Sequence, residues 1–261
     1  MSENLQYHIS LSKSQINGAQ YVILPGDPGR VEHLAKAFDK EARHLSSHRG
    51  YVAYLANFQG QSVLVCSTGI GGPSASIAME ELANIGLRYF IRVGTCGAIQ
   101  PHIKLGDLVI TRGAVRLDGA STHYAPIEYP AVPSFKLTAA LLHAAEQLKT
   151  PHHLGITVSS DTFFPGQERY DNHAQYVLRQ FQGSLQEWQK LHVSNYEMEA
   201  STILTMANVF GLEAAVICGV FAHRLVSERP DPSFFEIARA NWENVLVKAV
   251  YHHMHTQGTV L

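Results

Sequence analysis

Six short apolar runs, spread along most of the chain, constrain the fold more than any other feature of the sequence. Most of them are continuously hydrophobic over four to seven residues rather than alternating, which is typical of strands covered on both faces. We predict strands at residues 21–24, 62–66, 89–93, 107–111, 154–158 and 214–220. Helical spacing of apolar residues between these runs predicts helices at residues 73–85, 134–148, 198–209 and 233–254. The alternation indicates an α/β domain with its binding site at the strand ends.

Length and composition exclude several classes of protein. The 261 residues contain no Pro/Gly/Ser-rich linker and no repeat, so we predict a single domain over residues 1–261. The formal charge is −2, and no run of Lys and Arg is long enough for a nucleic-acid or anionic-membrane patch. The three cysteines, Cys66, Cys96 and Cys218, are far apart in the sequence. Their odd number and wide spacing argue against a disulfide framework and a structural zinc site. No signal-peptide pattern or apolar run of bilayer length is present, so we expect a cytoplasmic protein.

Two of the predicted strands carry residues suited to an anion. The first leads into Pro-Gly-Asp-Pro-Gly-Arg, in which glycines let backbone N–H groups approach a ligand and Arg30 begins a helix. Walker A and Gly-x-Gly-x-x-Gly patterns are absent, which disfavours nucleotide triphosphates and NAD. Arg92 interrupts an apolar strand and therefore needs a counterion, which protein carboxylates supply more often than ligands do. The glycine-rich turn at residues 66–74 is interpreted as helix-to-sheet packing without a ligand contact.

Two further segments have the chemistry to bind a nucleoside. In the loop at residues 160–170, Gln167 and Arg169 lie one residue apart behind a Pro-Gly turn, and an extended backbone would aim both side chains the same way. Together they complement the acceptor, donor, acceptor edge of uracil, whereas cytosine would leave groups unpaired. An exposed polar loop is the alternative. Glu197 and Glu199 flank Met198 at the start of a helix, where they either cap the helix or bind ribose hydroxyls under a thioether.

Six motifs in one order make the chain resemble the bacterial uridine phosphorylases, within the nucleoside phosphorylase superfamily. They are Pro-Gly-Asp-Pro-x-Arg, Ser-Thr-Gly-Ile-Gly-Gly-Pro-Ser, Arg-x-Gly-Thr-x-Gly-Ala-Ile-Gln-Pro, Val-Arg-Leu-Asp-Gly-Ala-Ser, Phe-x-Pro-Gly-Gln-Glu-Arg-Tyr and Asn-Tyr-Glu-Met-Glu. The resemblance extends from His8 to about Arg224. It implies a central, mixed, twisted β-sheet that is partly barrel-like and flanked by helices.

The resemblance also implies roles for individual positions. The phosphate contacts would be Gly26, Arg30, Arg49, Arg92 and Thr95, with Arg49 reaching across from a neighbouring subunit. The ribose contacts would be His8 (lent by the partner chain), Thr95, Glu197, Met198 and Glu199. The uracil contacts would be Gly97, Phe163, Gln167, Arg169 and Arg224. Catalysis would rest on Arg92, Gln167, Arg169 and Glu199.

The implied activity is that of a pentosyltransferase in pyrimidine salvage. Uridine, with deoxyuridine and thymidine left open, would undergo reversible phosphorolysis to uracil and ribose 1-phosphate, without a metal or redox cofactor. Purine-specific relatives carry an aspartate after the late strand, and residues 218–224 contain none. The resemblance further implies a homo-hexamer built as a trimer of dimers, with the active sites at dimer interfaces.

Some positions depart from the family pattern. Gly50 stands where some members have a glutamate, which makes an inter-subunit potassium site through Ile70 and Ser74 doubtful, and we expect no metal. Cys96 and Phe221 also differ, and we interpret Cys96 as a buried thiol and not a nucleophile. The histidine-rich tail at residues 252–255 is expected to be solvated. A nucleosidase using water and a non-catalytic nucleoside or anion sensor remain as alternative functions.

Overall fold

A computed structural model describes residues 5–227, 229 and 232–256 of the chain. The strands are β1 (Tyr21–Pro25), β2 (Arg43–His48), β3 (Tyr51–Phe58), β4 (Gln61–Cys66), β5 (Tyr89–Ala98), β6 (Leu108–Leu117), β7 (His152–Ser160), β8 (Val193–Glu197) and β9 (Glu213–His223). The helices are α1 (Val31–Phe38), α2 (Gly72–Asn84), α3 (Phe135–Gln147), α4 (Ser184–Lys190), α5 (Ala200–Phe210) and α6 (Phe235–Thr256).

The nine described strands form one mixed sheet in the order β2-β3-β4-β1-β5-β8-β7-β6-β9. Strand β5 also pairs with β9 in parallel, so β5, β8, β7, β6 and β9 close into a five-stranded barrel. Strands β4 and β1 extend the sheet from β5 in parallel, and β3 and β2 continue it as antiparallel strands. The predicted α/β class, with a mixed, partly barrel-like sheet, is confirmed.

Helices cover both faces of the sheet, which explains the continuous apolar runs. In β1, Val22 and Leu24 join the core beneath α2 and α5, whereas Tyr21 and Ile23 join the core beneath α1, α3 and α6. All five residues of β1 are buried. A strand covered on both faces cannot alternate apolar and polar residues, because neither face is left to water.

The six predicted strands, the four predicted helical ranges and the helix expected to begin at Arg30 are all present, with ends shifted by a few residues, but the sequence patterns missed three strands and α4. Strand β2 reads Arg-His-Leu-Ser-Ser-His and is largely exposed, so it has no apolar run. Strand β8 is fully buried yet polar, since its side chains hydrogen-bond inside the barrel. Among the described residues, no helix combines the length and apolar character that crossing a bilayer requires. That residues 1–261 form one domain stays a prediction.

The solvated state expected for the histidine-rich tail is wrong for His253. This residue is buried against the sheet, and its Nδ1 lies 2.8 Å from the Tyr21 hydroxyl oxygen. Burial lowers the pKa of His253, with a smaller opposing effect of Glu213. Helix α6 brings the imidazole inward because Ala249 and Val250 of the same helix are part of the core.

We expect the His253 imidazole to make stability depend on pH below about 6.5, the ordinary histidine value. Because its folded-state pKa is lowered, the unfolded chain binds a proton that the folded chain excludes, and stability falls as the pH decreases. His253→Gln retains an acceptor for Tyr21 and should therefore show a smaller fall in melting temperature between pH 7.5 and 5.5. The exposed His255→Gln change is the control, and an equal pH dependence in all three proteins would contradict the assignment.

Candidate active site

A cavity of about 270 Å³ lies where β1, β5, β7, β8 and β9 approach or reach their carboxyl ends. Its walls bring together residues from six separate parts of the chain. They are Gly26, Asp27, Arg30, Ile70, Arg92, Gly94, Thr95, Cys96, Gly97, Phe163, Gln167, Arg169, Tyr196, Glu197, Met198, Glu199, Phe221 and Ala222. Eleven of the fourteen site residues predicted from the sequence are among them. Clefts outside strand ends are the usual binding sites of such sheets.

One end of the cavity is built by the turn that follows β1. The Asp27 carboxylate accepts a hydrogen bond from the Gly29 N–H at 2.8 Å and caps a 3-10 turn over Pro28–Arg30, after which α1 begins. Arg30 Nε lies 3.5 Å from the other Asp27 oxygen. Burial lowers the pKa of Arg30, Asp27 opposes this effect, and the positive charge of Arg92 adds to it. Two cations close enough to repel each other favour an anion between them.

Two protein carboxylates, those of Glu197 and Glu199, supply the counterion that Arg92 needs. Its Nε donates to Glu197 at 2.8 Å, its Nη2 forms an ion pair with Glu199, and the guanidinium is 4% exposed. Burial alone would lower the pKa of Arg92, but the two carboxylates raise it overall. Its Nη1 is buried and makes no hydrogen bond within the described part of the chain. Since this atom faces Gly26, one donor edge of Arg92 is left for a ligand.

The two glutamates beside Met198 have different environments. Both Glu197 oxygens are occupied, because they accept hydrogen bonds from the Glu199 and Ala200 N–H groups, the Ser159 hydroxyl and Arg92. Glu197 therefore caps α5, as the structural alternative predicted. Glu199 accepts from the Gly71 N–H at 2.5 Å and from Arg92, and burial raises its pKa against the effect of Arg92.

The glycine-rich turn before α2 packs closely against α5. A Cβ atom on Gly72 would lie 2.6 Å from the Thr202 hydroxyl oxygen and 2.9 Å from the Ala120 Cβ, so only glycine allows this approach. Close packing at this turn is confirmed for Gly72, but its partners are α5 and Ala120 and not the sheet. The sequence reasoning nevertheless missed Ile70, which lines the cavity with three-quarters of its surface exposed.

The loop after β7 is a turn and not the extended segment that we expected. Pro165–Gln167 forms a 3-10 turn, and Glu168 adopts a left-handed conformation with φ of +52°. The Pro-Gly pair favours this turn, and Glu168 stabilises it by accepting a hydrogen bond from the Leu185 N–H at 2.7 Å. Gln167 and Arg169 still reach the same cavity, because the left-handed residue between them reverses the chain.

Both polar side chains of this turn are buried, which excludes the exposed-loop alternative. Gln167 is 3% and Arg169 2% exposed. The Arg169 guanidinium lies 4.1 Å from the centroid of the Phe163 ring, a distance at which cations and aromatic faces attract. Arg224 does not line the cavity. It is buried behind the turn, where its Nη2 donates to the Gln167 carbonyl at 2.9 Å.

His8 and Arg49, the two residues expected to serve a neighbouring subunit, lie outside the cavity of their own chain. His8 Nδ1 is 2.7 Å from the Glu81 carboxylate, and Arg49 donates to the Tyr7 hydroxyl at 2.6 Å. Arg49 is exposed and adopts a left-handed φ of +51°. Their roles across a subunit boundary stay predictions.

Burial raises the pKa of the Cys96 thiol well above its ordinary value, and contact with Cys218 adds to the effect. Only 6% of Cys96 is exposed to solvent, although the residue lines the cavity. A protonated, buried thiol is a poor nucleophile, which supports the interpretation of Cys96 as a packing residue.

Asp118 is a buried carboxylate for which the sequence patterns predicted no role. It links the end of β6 to the first turn of α5 beside the site. Asp118 follows β6 and accepts hydrogen bonds from the hydroxyls of Ser201 at 2.5 Å and Thr202 at 2.7 Å, both in the first turn of α5. It also accepts from the Ser121 N–H and hydroxyl. Burial would raise its pKa, but these hydrogen bonds lower it overall. Asp118 thus holds the helix that begins directly after Glu199.

We expect Asp118→Asn to reduce the free energy of unfolding by about 2–4 kcal/mol, because all four hydrogen bonds to this carboxylate lose their charge assistance. Turnover should fall by about tenfold through displacement of Glu199, measured by steady-state kinetics alongside urea denaturation. Asp171→Asn, at an exposed carboxylate, is the matched control. Unchanged stability of Asp118→Asn would show that the network is not structural.

Comparison with known proteins agrees with this architecture. The family model described as the phosphorylase superfamily matches residues 20–250. The uridine phosphorylase of Escherichia coli strain K12 is 49% identical over 249 residues, which are 95% of this chain and 98% of that protein. The uridine phosphorylase of Thermococcus kodakarensis is 46% identical over 226 residues, 87% of this chain and 80% of that protein. The guanosine phosphorylase of Halorubrum lacusprofundi is 36% identical over 215 residues, 82% of each chain. The chain belongs to the phosphorylase superfamily, as its motifs predicted.

Proposed function

We propose that the protein is a uridine phosphorylase, which converts uridine and inorganic phosphate reversibly to uracil and ribose 1-phosphate. The observation that carries the proposal is one cavity whose wall contains both Arg30 and Arg92 and the pair Gln167 and Arg169. An anion and a pyrimidine can therefore bind side by side with the sugar between them. The 49% identity to the Escherichia coli enzyme over nearly the whole chain supports the same conclusion.

The arginines supply phosphate binding. Arg30, the free Nη1 edge of Arg92 and the backbone around Gly26 form the anion end of the cavity. Each charge-assisted hydrogen bond contributes about 1.5–3 kcal/mol, and several are needed to take a doubly charged anion from water. Thr95 lines the same cavity.

In the reaction, a phosphate oxygen forms a bond to C1′ of the ribose while the bond from C1′ to N1 of uracil breaks. The electron pair of that bond moves onto the leaving pyrimidine and reaches its carbonyl oxygens. Arg169 and the Gln167 amide donate hydrogen bonds there, and these bonds strengthen as negative charge develops. The family's purine-specific aspartate has no counterpart in residues 218–224, which fits a pyrimidine leaving group.

Met198 and Glu199 would hold the ribose. Glu199 is directed to the cavity by the Gly71 N–H and by Arg92, and it can accept hydrogen bonds from two vicinal hydroxyls. Because the Glu197 oxygens are fully engaged in capping α5, we assign this residue a positioning role toward Glu199 and not a direct sugar contact. Gly97 and Phe163 complete the base side of the cavity, and Arg224 supports Gln167 from behind.

Assembly would complete the site. We propose a homo-hexamer, a trimer of dimers, in which His8 and Arg49 of one subunit reach the ribose and phosphate of the next. Both side chains are partly or fully exposed at the surface of a single chain, as that role requires. We further propose that the enzyme acts in the cytoplasm and that phosphate is its co-substrate, with no metal or redox cofactor.

A substrate panel assayed with and without inorganic phosphate tests the proposal. Release of uracil from uridine only when phosphate is present is the expected result, with cytidine and purine nucleosides unreactive. Equal release without phosphate would identify a nucleosidase, and binding of uridine without any turnover would identify a sensor. Deoxyuridine and thymidine in the same panel rank the sugars and the 5-methyl group.

A further inference from the structure

The guanidinium of Arg30 packs on an aromatic surface presented by α6. Its Cζ lies 4.9 Å from the centroid of the Phe235 ring and 5.6 Å from the Trp242 ring. Phe235 and Trp242 are seven residues apart on one face of the helix, and their rings meet edge to face at 6.0 Å. The two rings therefore form a continuous wall beside the phosphate end of the cavity.

This wall depends on close packing of α6 against β9. A Cβ atom on Gly219 of β9 would lie 2.7 Å from the Trp242 ring and 2.9 Å from Ala238, so the helix can approach only because this residue is glycine. Phe221, which lines the substrate cavity, packs edge to face on Phe235 at 5.4 Å. Phe235 thus touches both a wall of the cavity and the arginine at its end.

Other restraints on Arg30 are weak. Its Nε is buried and makes no hydrogen bond within the part of the chain that the structure describes. Asp27 lies 3.5 Å away, but its carboxylate is 56% exposed. The Arg30 side chain is 21% exposed, so the cation is partly desolvated, and this burial lowers its pKa. Attraction between a cation and an aromatic face is strongest in such surroundings.

A second cavity, of about 190 Å³, adjoins Arg30. Arg30 and Asp27 line it as well as the active-site cavity, and Phe235 and Trp242 also form part of its wall. The second cavity leaves room beside the Arg30 side chain on this side. The aromatic wall is then the main contact that keeps the guanidinium at the active site.

We propose that Phe235, supported by Trp242, is a positioning residue for phosphate. Its ring fixes the plane of the Arg30 guanidinium and leaves the N–H edge directed at the anion. The proposal rests on the proposed function, because it takes inorganic phosphate as the anion. It assigns to α6, which follows all the family motifs in the chain, a part in recognising the co-substrate.

Phe235→Leu tests the proposal in the full-length enzyme. The KM for phosphate should rise by about tenfold to thirtyfold, the fold-change equivalent to a partly desolvated cation–π contact. The KM for uridine should stay within about twofold, because Gln167 and Arg169 are untouched. Phe235→Tyr should restore phosphate affinity, since it keeps the ring. Phe234→Leu, one residue earlier and packed beside Gly106, is the matched control and should behave as wild type.

Equal increases in both KM values, or the same loss in Phe234→Leu, would overturn the proposal. Should Phe235→Leu fail to fold, Phe235→Met keeps a long apolar side chain without a ring and must show the same selective rise. Calorimetric titration with sulfate, without nucleoside, separates this proposal from the proposed function. Weaker sulfate binding by the variant supports the positioning role even if no phosphorolysis is found. If the enzyme is active and the Phe235→Leu variant binds sulfate as tightly as the wild type, the positioning role is refuted but the proposed function is not.

Discussion

Arg92→Ala is expected to lower kcat/KM for phosphorolysis to about a thousandth of the wild-type value or less. It should also lower the free energy of unfolding by about 3–5 kcal/mol. Arg92 provides a donor edge for phosphate and also neutralises Glu197 and Glu199, which are 0% and 4% exposed. The truncation leaves both carboxylates buried without their cation. Steady-state kinetics and urea denaturation on the same preparation measure the two losses.

Two other variants separate the roles of Arg92. Arg92→Lys keeps the charge but cannot serve Glu197, Glu199 and phosphate at once, so it should recover more stability than activity. Arg30→Ala removes a more exposed guanidinium with no buried carboxylate partner, and it should impair phosphate use with little effect on stability. An Arg92→Ala enzyme with wild-type phosphate affinity would be incompatible with the site that we describe.

Gln167→Ala is expected to lower kcat/KM for uridine by about a hundredfold to a thousandfold, as removal of an oxyanion-hole donor does. Discrimination against cytidine should fall at the same time, because a site that hydrogen-bonds a polar edge rejects mismatched analogues by up to about 10⁴. The phosphate KM should change little. The measurement is a comparison of uridine and cytidine kinetics at saturating phosphate.

Gln186→Ala, at an exposed position of α4, provides the control for glutamine truncation. Arg169→Ala should share the loss of turnover, but it also removes the cation stacked on Phe163 and so disturbs the turn. A Gln167→Ala enzyme that loses uridine and cytidine activity in equal proportion would contradict base reading by this amide.

The α/β class and most strands could be predicted because burial on both faces leaves a local signature of continuous apolar residues. Strand β8 lacked that signature, since its polar side chains are satisfied by partners as far as 105 positions away. The spacing of Gln167 and Arg169 left an exposed loop as the alternative, the family resemblance indicated the pair as base contacts, and the extended backbone expected for them was wrong. Both side chains line the cavity because Glu168 between them adopts a left-handed conformation, which residue spacing alone does not indicate.

Long-range contacts account for what the sequence did not reveal at the site. The partners of Asp118 in α5, Ser201 and Thr202, are more than 80 residues away along the chain. Phe235 contacts an arginine that precedes it by more than 200 residues. Resemblance to the family indicated most cavity residues, but it could not indicate which of Glu197 and Glu199 is committed to capping a helix.

A crystal structure with sulfate and a non-hydrolysable uridine analogue tests the central claim most directly. We predict sulfate between Arg30 and the Nη1 edge of Arg92, and the pyrimidine against Gln167 and Arg169, within one cavity and with C1′ facing the anion. Sulfate and analogue bound in separate cavities, too distant to share one sugar, would contradict the account.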